Sequence, residues 1–122
     1  MCDETTNMLV AAVEGLMYPS ERDTPFDLQL WPATLARSPR DLAKKLAHGR
    51  RVQPIREKEF FVSLSKTDDA ARFAKLECVF AEQLTDRAIF RIGSGETSVD
   101  LYLIGLERSG RWVGLHTISI ET

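Results

Sequence analysis

The segment SVDLYLIGLERSGRWVGLHTISI, residues 98–120, predicts two neighbouring β-strands joined by a tight turn. Both runs alternate in hydrophobicity, and the connection ERSG, residues 107–110, has the glycine and polar residues of a turn. So short a connection makes the strands antiparallel neighbours. The first strand has apolar side chains on both faces, with Val99, Leu101 and Leu103 on one face and Tyr102 and Ile104 on the other. This pattern predicts helices on both sides of the sheet.

A third strand is predicted just before this pair, and a long helix precedes it. The run AIFRIG, residues 88–93, favours a strand, and SGET, residues 94–97, has the composition of a turn. Upstream, the hydrophobic period becomes helical, and we expect the longest helix from Asp68 to Leu84 with Thr67 as its cap. Its apolar stripe comprises four residues: Phe73, Leu76, Phe80 and Leu84.

The remaining patterns predict, in chain order, a helix at 4–17, a loop at 18–25, a strand at 26–31, a helix at 38–49, a short strand at 50–55 and a short helix or turn at 57–65. Ser38 and Gly49 are the start and stop signals of the second helix. Pro54 confines the short strand to a sheet edge. Together the elements predict a layered α/β domain of the α+β kind with a mainly antiparallel sheet.

Length and charge narrow the class of protein. With 122 residues, the chain is expected to form one domain, residues 1–122. Its formal net charge of −2 argues against direct nucleic-acid binding. No apolar run approaches the length of a membrane span. Cys2 and Cys78 form neither a disulfide framework nor a metal-binding spacing, so we expect a soluble protein of the reducing cytoplasm, without cofactors.

The sequence contains no recognisable catalytic constellation. His48 lies near a predicted helix C-terminus and His116 lies in the last strand, and a structural role is favoured for both. The glycines of IGSGET and ERSGRWVG connect strands and match no phosphate-binding loop. We therefore expect a protein that is not an enzyme.

Two places in the sequence present acidic groups at defined positions. Glu21 follows Ser20 in the loop YPSERDTP, between prolines at 19 and 25 that stiffen the segment. A stiff loop can hold a carboxylate out for recognition, but the alternative is a local cap in which Ser20 or Glu21 binds backbone N–H groups. The chain closes with LHTISIET, which places Glu121 and the terminal carboxylate of Thr122 directly after the last strand.

An ordered set of residues resembles the nuclease A inhibitor family. The set lies in GLMYPSERDTPFDLQLW, residues 15–31, and in IFRIGSGETSVDLYLIGLERSGRWVGLHTISIET, residues 89–122. Single pieces such as Gly-Leu carry no weight, but their order, their spacing and the shared ending are specific. These bacterial proteins inhibit a sugar-non-specific DNA and RNA endonuclease.

The resemblance implies a three-layer α-β-α sandwich and a protein partner. That partner would be a magnesium-dependent nuclease whose active site the inhibitor blocks. The family's serine-glutamate loop and C-terminal threonine correspond to Ser20, Glu21 and Thr122, and Glu121 would add a second carboxylate at the terminus. The resemblance further implies that Thr122 contacts the partner's magnesium, while this chain has no metal site of its own. Carboxylate and hydroxyl oxygens can replace water or phosphate oxygens on such a hard cation.

One departure from the family keeps a second hypothesis open. Family inhibitors have a longer, aromatic-containing segment before the long helix, whereas this chain has SLSKTDDAAR, residues 63–72, without Trp or Tyr. Aromatic anchors often dominate interfaces. The alternative is therefore a binding module of the same fold that recognises a different protein.

Overall fold

The computed structural model describes residues 4–93 and 97–121 and has an α+β fold. The helices are α1 (Glu4–Val13), α2 (Pro39–Ala47), α3 (Glu57–Ser63) and α4 (Ala70–Gln83), with a 3₁₀ turn at Ala33–Leu35. The strands are β1 (Met17–Tyr18), β2 (Thr24–Pro25), β3 (Asp27–Trp31), β4 (Val52–Ile55), β5 (Thr85–Ile92), β6 (Ser98–Leu106) and β7 (Trp112–Ile120).

Five strands form one antiparallel sheet in the order β3-β7-β6-β5-β4. The hairpin predicted from residues 98–120 is confirmed, because β6 and β7 pair along their full length from Ser98–Ile120 to Leu106–Trp112. Strand β4, which contains Pro54, lies at an edge as predicted. The pairing of β3 with β7 places an early segment of the chain beside its last strand.

Alternate residues of the central strands enter two separate apolar clusters. Leu101 and Leu103 of β6 belong to a cluster that includes buried residues of α1, α3 and α4. Tyr102 and Ile104 belong to a second cluster with Leu42 of α2. The predicted division of β6 into two apolar faces is therefore confirmed for these four residues.

Helix α1 is shorter than predicted: it ends at Val13 rather than at Met17. Gly15 follows with φ +71°, a left-handed conformation that commonly stops a helix. Leu16 is nevertheless buried and its N–H donates to the Val13 carbonyl at 2.9 Å. Because Leu16 is apolar and buried although it follows the end of the helix, the sequence pattern predicted one more helical turn than the structure has.

The start of α4 also differs from prediction. The helix begins at Ala70, and Asp69 in the N-cap position makes no side-chain capping bond. The cap prediction is wrong, because Asp69 rather than Thr67 holds the N-cap position, and the Thr67 hydroxyl donates to the Leu64 carbonyl of the preceding turn at 2.8 Å. By contrast, Ser38 caps α2 as predicted, since its hydroxyl accepts from the Asp41 N–H at 3.1 Å.

Strand β5 begins at Thr85, three residues before the predicted run at Ala88. Its register with β6 shifts between Thr85 and Ala88, and Asp86 has φ +49°. Such a bulge interrupts the two-residue alternation, which explains why the sequence pattern did not reveal the full strand.

Within residues 4–93 and 97–121, no helix is long and apolar enough to cross a membrane.

Candidate partner-binding site

The predicted loop around Glu21 is closed by a small two-stranded sheet. Met17 of β1 pairs with Pro25 of β2, and Tyr18 pairs with Thr24, so residues 19–23 form a short connection between them. The sequence had predicted only a loop here. The pairing fixes both ends of the connection, and Tyr18 stacks on Phe60 of α3 with ring centroids 6.0 Å apart.

The same loop is hydrogen-bonded to the last residue of β7. The Ile120 N–H donates to the Ser20 hydroxyl at 3.0 Å, and the Glu21 N–H donates to the Ile120 carbonyl at 3.3 Å. The Ser20 hydroxyl in turn donates to the Arg22 carbonyl at 2.7 Å. The Ser20 hydroxyl therefore accepts from a residue 100 positions later in the chain and donates to a residue of its own loop.

A second set of bonds attaches β2 to β7. The Thr24 hydroxyl donates to the Ile118 carbonyl at 2.5 Å, and the Thr117 hydroxyl donates to the Pro25 carbonyl at 2.9 Å. Thr117 is buried, so its hydroxyl needs such a partner. These contacts lie directly after the loop and restrict its movement relative to the end of the sheet.

The Glu21 side chain is exposed, whereas its backbone N–H contacts β7. The Ser20 hydroxyl combines a long-range bond to β7 with a local bond to the Arg22 carbonyl. Glu21 therefore stands on a segment whose backbone is bonded to β7 and whose two ends are paired in β1 and β2.

Glu121 is held from two directions beside this loop. Its backbone N–H donates to the Thr97 carbonyl at 2.6 Å. Its two carboxylate oxygens bind the guanidinium of Arg91 on β5, and Oε2 also accepts from the Ser119 hydroxyl at 3.0 Å. The hydrogen bond from Arg91 lowers the pKa of Glu121; burial opposes this, and the Ser119 bond supports it.

Tyr18 connects the loop electrostatically with the end of the chain. Burial raises the pKa of its phenol, and the negative charge of Glu121 raises it further, while Arg91 acts in the opposite direction. The base of the Glu21 loop and the residue after β7 therefore share one electrostatic environment.

A model of the family described as nuclease A inhibitor-like protein matches residues 3–122. The chain belongs to the nuclease A inhibitor-like family. No curated protein matches the chain. Membership supports a nuclease inhibitor with a protein partner, and the match includes both the Ser20–Glu21 loop and residues 121–122.

For this nuclease A inhibitor-like chain, the structure brings three of the four predicted site residues to one end of the sheet. Ser20 and Glu21 contact Ile120, which is adjacent to Glu121. The fourth, Thr122, lies outside the described residues. The role of these positions in binding another protein stays a prediction.

Sequence analysis did not assign Arg91 a role in this site. It lies on the same face of β5 as the buried Ile89, where the alternation calls for an apolar side chain. A charged side chain at a position that should be buried needs an oppositely charged partner, so Arg91 itself indicated that a carboxylate lies nearby. Finding that carboxylate required the order of β5, β6 and β7.

A separate polar cluster lies on the opposite face of β7. The ring nitrogens of His116 lie 2.9 Å from Asp27 Oδ1 and 2.7 Å from Asp100 Oδ1, and Arg50 binds the second oxygen of Asp100 at 2.7 Å. Burial opposes ionisation of Asp100, but the hydrogen bonds from His116 and Arg50 outweigh it and lower the pKa. His116 also packs on Tyr102, with ring centroids 4.7 Å apart.

Residues 4–93 and 97–121 contain no group of three or more His, Cys, Asp or Glu residues that could hold a metal ion. His48, the other histidine, is exposed at the C-cap of α2 with φ +50°.

The Arg91–Glu121 pair predicts a specific dependence of stability on pH. Folding lowers the pKa of Glu121, so the ionised carboxylate stabilises the protein above its unfolded pKa of about 4.3. This stabilisation is lost as the pH falls through the lower folded value. Glu121→Gln lacks it, so the free energy of unfolding should fall less steeply between about pH 5 and about pH 3. Urea unfolding at a series of pH values measures the slopes, and equal slopes for the two proteins would contradict the pair.

Proposed function

We propose that this protein is a stoichiometric, non-enzymatic inhibitor of a magnesium-dependent, sugar-non-specific endonuclease. The observation that carries the proposal is the family match over residues 3–122. The proposed contact surface comprises the Ser20–Glu21 loop and the residues after β7, Glu121 and Thr122. Its location at one end of the sheet is supported by the bonds between the loop and Ile120.

We assign Glu21 the main electrostatic role in binding. A nuclease cleft must accept the negative phosphates of its substrate, so it offers cationic side chains and a hard metal ion that prefers oxygen ligands. An exposed carboxylate on a fixed loop can occupy a phosphate position with little loss of conformational freedom. The metal belongs to the partner, and Thr122 is the residue proposed to approach it.

The proposal includes the architecture that supports this surface. We infer that residues 1–122 form one domain and that its sheet lies between two helical layers. Support comes from the two apolar clusters, of which one contains residues of α1, α3 and α4 and the other contains residues of α2. Such a three-layer α-β-α sandwich would make the sheet a rigid base for the loop and the terminus.

The inhibitor should suppress a sugar-non-specific nuclease at a molar ratio near one to one and show no hydrolase activity itself. A fixed amount of nuclease, titrated with the protein in the presence of Mg²⁺, gives this ratio from the residual cleavage of plasmid DNA. A break in the titration at equal concentrations supports a specific inhibitor. Suppression only at a large molar excess contradicts the proposal.

A second candidate is a protein-binding module with a different partner. The observation that favours it is that the connection between α3 and α4, residues 64–69, offers no aromatic side chain to a partner. The first aromatic residue after it, Phe73, is 1% exposed and belongs to the core. The exposed residues of this connection are polar or charged: Ser65, Lys66, Asp68 and Asp69. Full inhibition of a family-type nuclease would exclude this second candidate.

A further inference from the structure

Arg91 reaches Glu121 across an intervening strand. In the sheet, Arg91 of β5 pairs with Leu101 of β6, and Leu101 pairs with Thr117 of β7. The guanidinium passes over β6 and binds both carboxylate oxygens of Glu121 through separate nitrogens. The residue that follows the last strand is thereby connected to a strand that is not its neighbour.

The Arg91–Glu121 pair restricts the orientation of the Glu121 carboxylate more than it increases the free energy of unfolding. The side chains of Arg91 and Glu121 are 29% and 36% exposed, and partly exposed pairs contribute little to folding free energy. A two-nitrogen contact to a carboxylate does, however, fix the carboxylate plane, which the single ammonium of lysine cannot do. Ser119 adds a third bond to the same carboxylate.

The backbone on either side of this contact is also fixed. Ile120 exchanges bonds with Ser20 and Glu21, and the Glu121 N–H donates to Thr97. Removing the guanidinium would release the Glu121 side chain, and the adjacent backbone bonds of Ile120 and Glu121 would then open more often. The expected result is a terminus that moves relative to the Glu21 loop in a protein that remains folded.

We propose that Arg91 is a positioning residue for the partner-binding surface, holding Glu121 in register with the Ser20–Glu21 loop. The proposal deepens the inhibitor function proposed above and rests on it for the binding readout. Residues that orient contact groups, although they do not touch the ligand, typically contribute about 10–100-fold to affinity at metal sites. Arg91→Met should therefore weaken inhibition by about 10–100-fold, and Arg91→Lys should restore part of the loss.

A matched control lies on the opposite face of the sheet. Arg50 makes a comparable ion pair with Asp100 at 2.7 Å, among residues that do not contact the loop. Arg50→Met should leave inhibition within about twofold of the original value while changing stability as much as Arg91→Met does. A comparable loss of inhibition in both variants would show that general destabilisation, rather than positioning, causes the effect.

A double-variant cycle tests whether Arg91 acts through Glu121. In a Glu121→Gln background, Arg91→Met should weaken inhibition much less than it does alone, because the contact is already impaired. Independent, additive losses would overturn the proposed route through Glu121. Unchanged inhibition by Arg91→Met would overturn the positioning role itself.

Amide hydrogen exchange provides a readout that needs no nuclease. In the free Arg91→Met protein, the amides of Ile120 and Glu121 should exchange at least about tenfold faster than in the original protein, while that of Leu103 should not change. Unchanged exchange at all three would overturn the proposal whatever the inhibition data show. Faster terminal exchange in a protein that inhibits no nuclease would instead support positioning and contradict the proposed function.

Discussion

Glu21→Ala is expected to weaken nuclease inhibition by about 30-fold to about 4,000-fold while leaving thermal stability almost unchanged. Truncating one partner of a buried interfacial charge pair costs about 2–5 kcal/mol, and each 1.4 kcal/mol corresponds to about a factor of ten. The Glu21 side chain is exposed in the free protein, and its backbone N–H, which alanine retains, bonds to Ile120. Inhibition constants and melting temperatures of the same preparations measure the two quantities.

Asp23 provides the matched control for this prediction. It is an exposed carboxylate on the same short connection, so Asp23→Ala removes an equal charge at nearly the same place. A general electrostatic attraction to a basic cleft would make the two variants similar, whereas a specific contact requires the Glu21 variant to be far weaker. Lower stability with undiminished inhibition in Glu21→Ala would show that the carboxylate serves the fold alone.

The long-range part of this site could not have been read from the sequence. Hydrophobic alternation and a short turn were sufficient for the β6–β7 hairpin, because both signals are local. The contact of Ser20 with Ile120 depends on β3 pairing with β7, and no short connection specifies that pairing. A local cap was consequently a reasonable interpretation of Ser20, although its hydroxyl accepts from a distant strand.

The errors at helix ends have a different physical origin. At Thr67, a residue suited to capping lies two positions before the N-cap Asp69, and its hydroxyl donates instead to the Leu64 carbonyl of the preceding turn. At Gly15, the helix stops but Leu16 remains buried, so apolar periodicity continues beyond the helix. In both places the type of residue was informative, but the choice between neighbouring partners depended on packing.

Arg91 illustrates what a sequence pattern can and cannot reveal about the site. A cation among apolar residues on one face of a strand signals an unusual environment. Its partner, however, lies two strands away, and the pairing becomes evident only with the sheet order β7-β6-β5. The sequence predicted Glu121 as a partner-binding carboxylate but did not reveal that Arg91 binds it within the chain.

Removing Thr122, or adding residues after it, is expected to weaken inhibition by about 30-fold or more with little change in melting temperature. The proposal places Thr122 next to the partner's metal, so its loss removes a contact between a carboxylate oxygen and a cation. The loss of a charged contact at an interface costs about 2–5 kcal/mol of binding free energy. Removing one terminal residue exposes little apolar area, which limits the effect on folding. The loss should be greater when the nuclease holds Mg²⁺ than in its metal-free form.

An N-terminal tag is the control that the fold offers for this experiment. Thr6 of α1 accepts a hydrogen bond at 3.4 Å from Arg111, which immediately precedes β7, so this part of α1 lies near the opposite end of that strand from Glu121. Nine residues of strand span about 30 Å, so the first turn of α1, which an N-terminal tag precedes, lies far from the proposed contact surface. A C-terminal tag must instead start beside Glu121, which Thr97 and Arg91 hold next to the Ser20–Glu21 loop. If both tagged proteins inhibit equally well, Thr122 does not enter the nuclease site, and the proposed contact with the partner's metal is wrong.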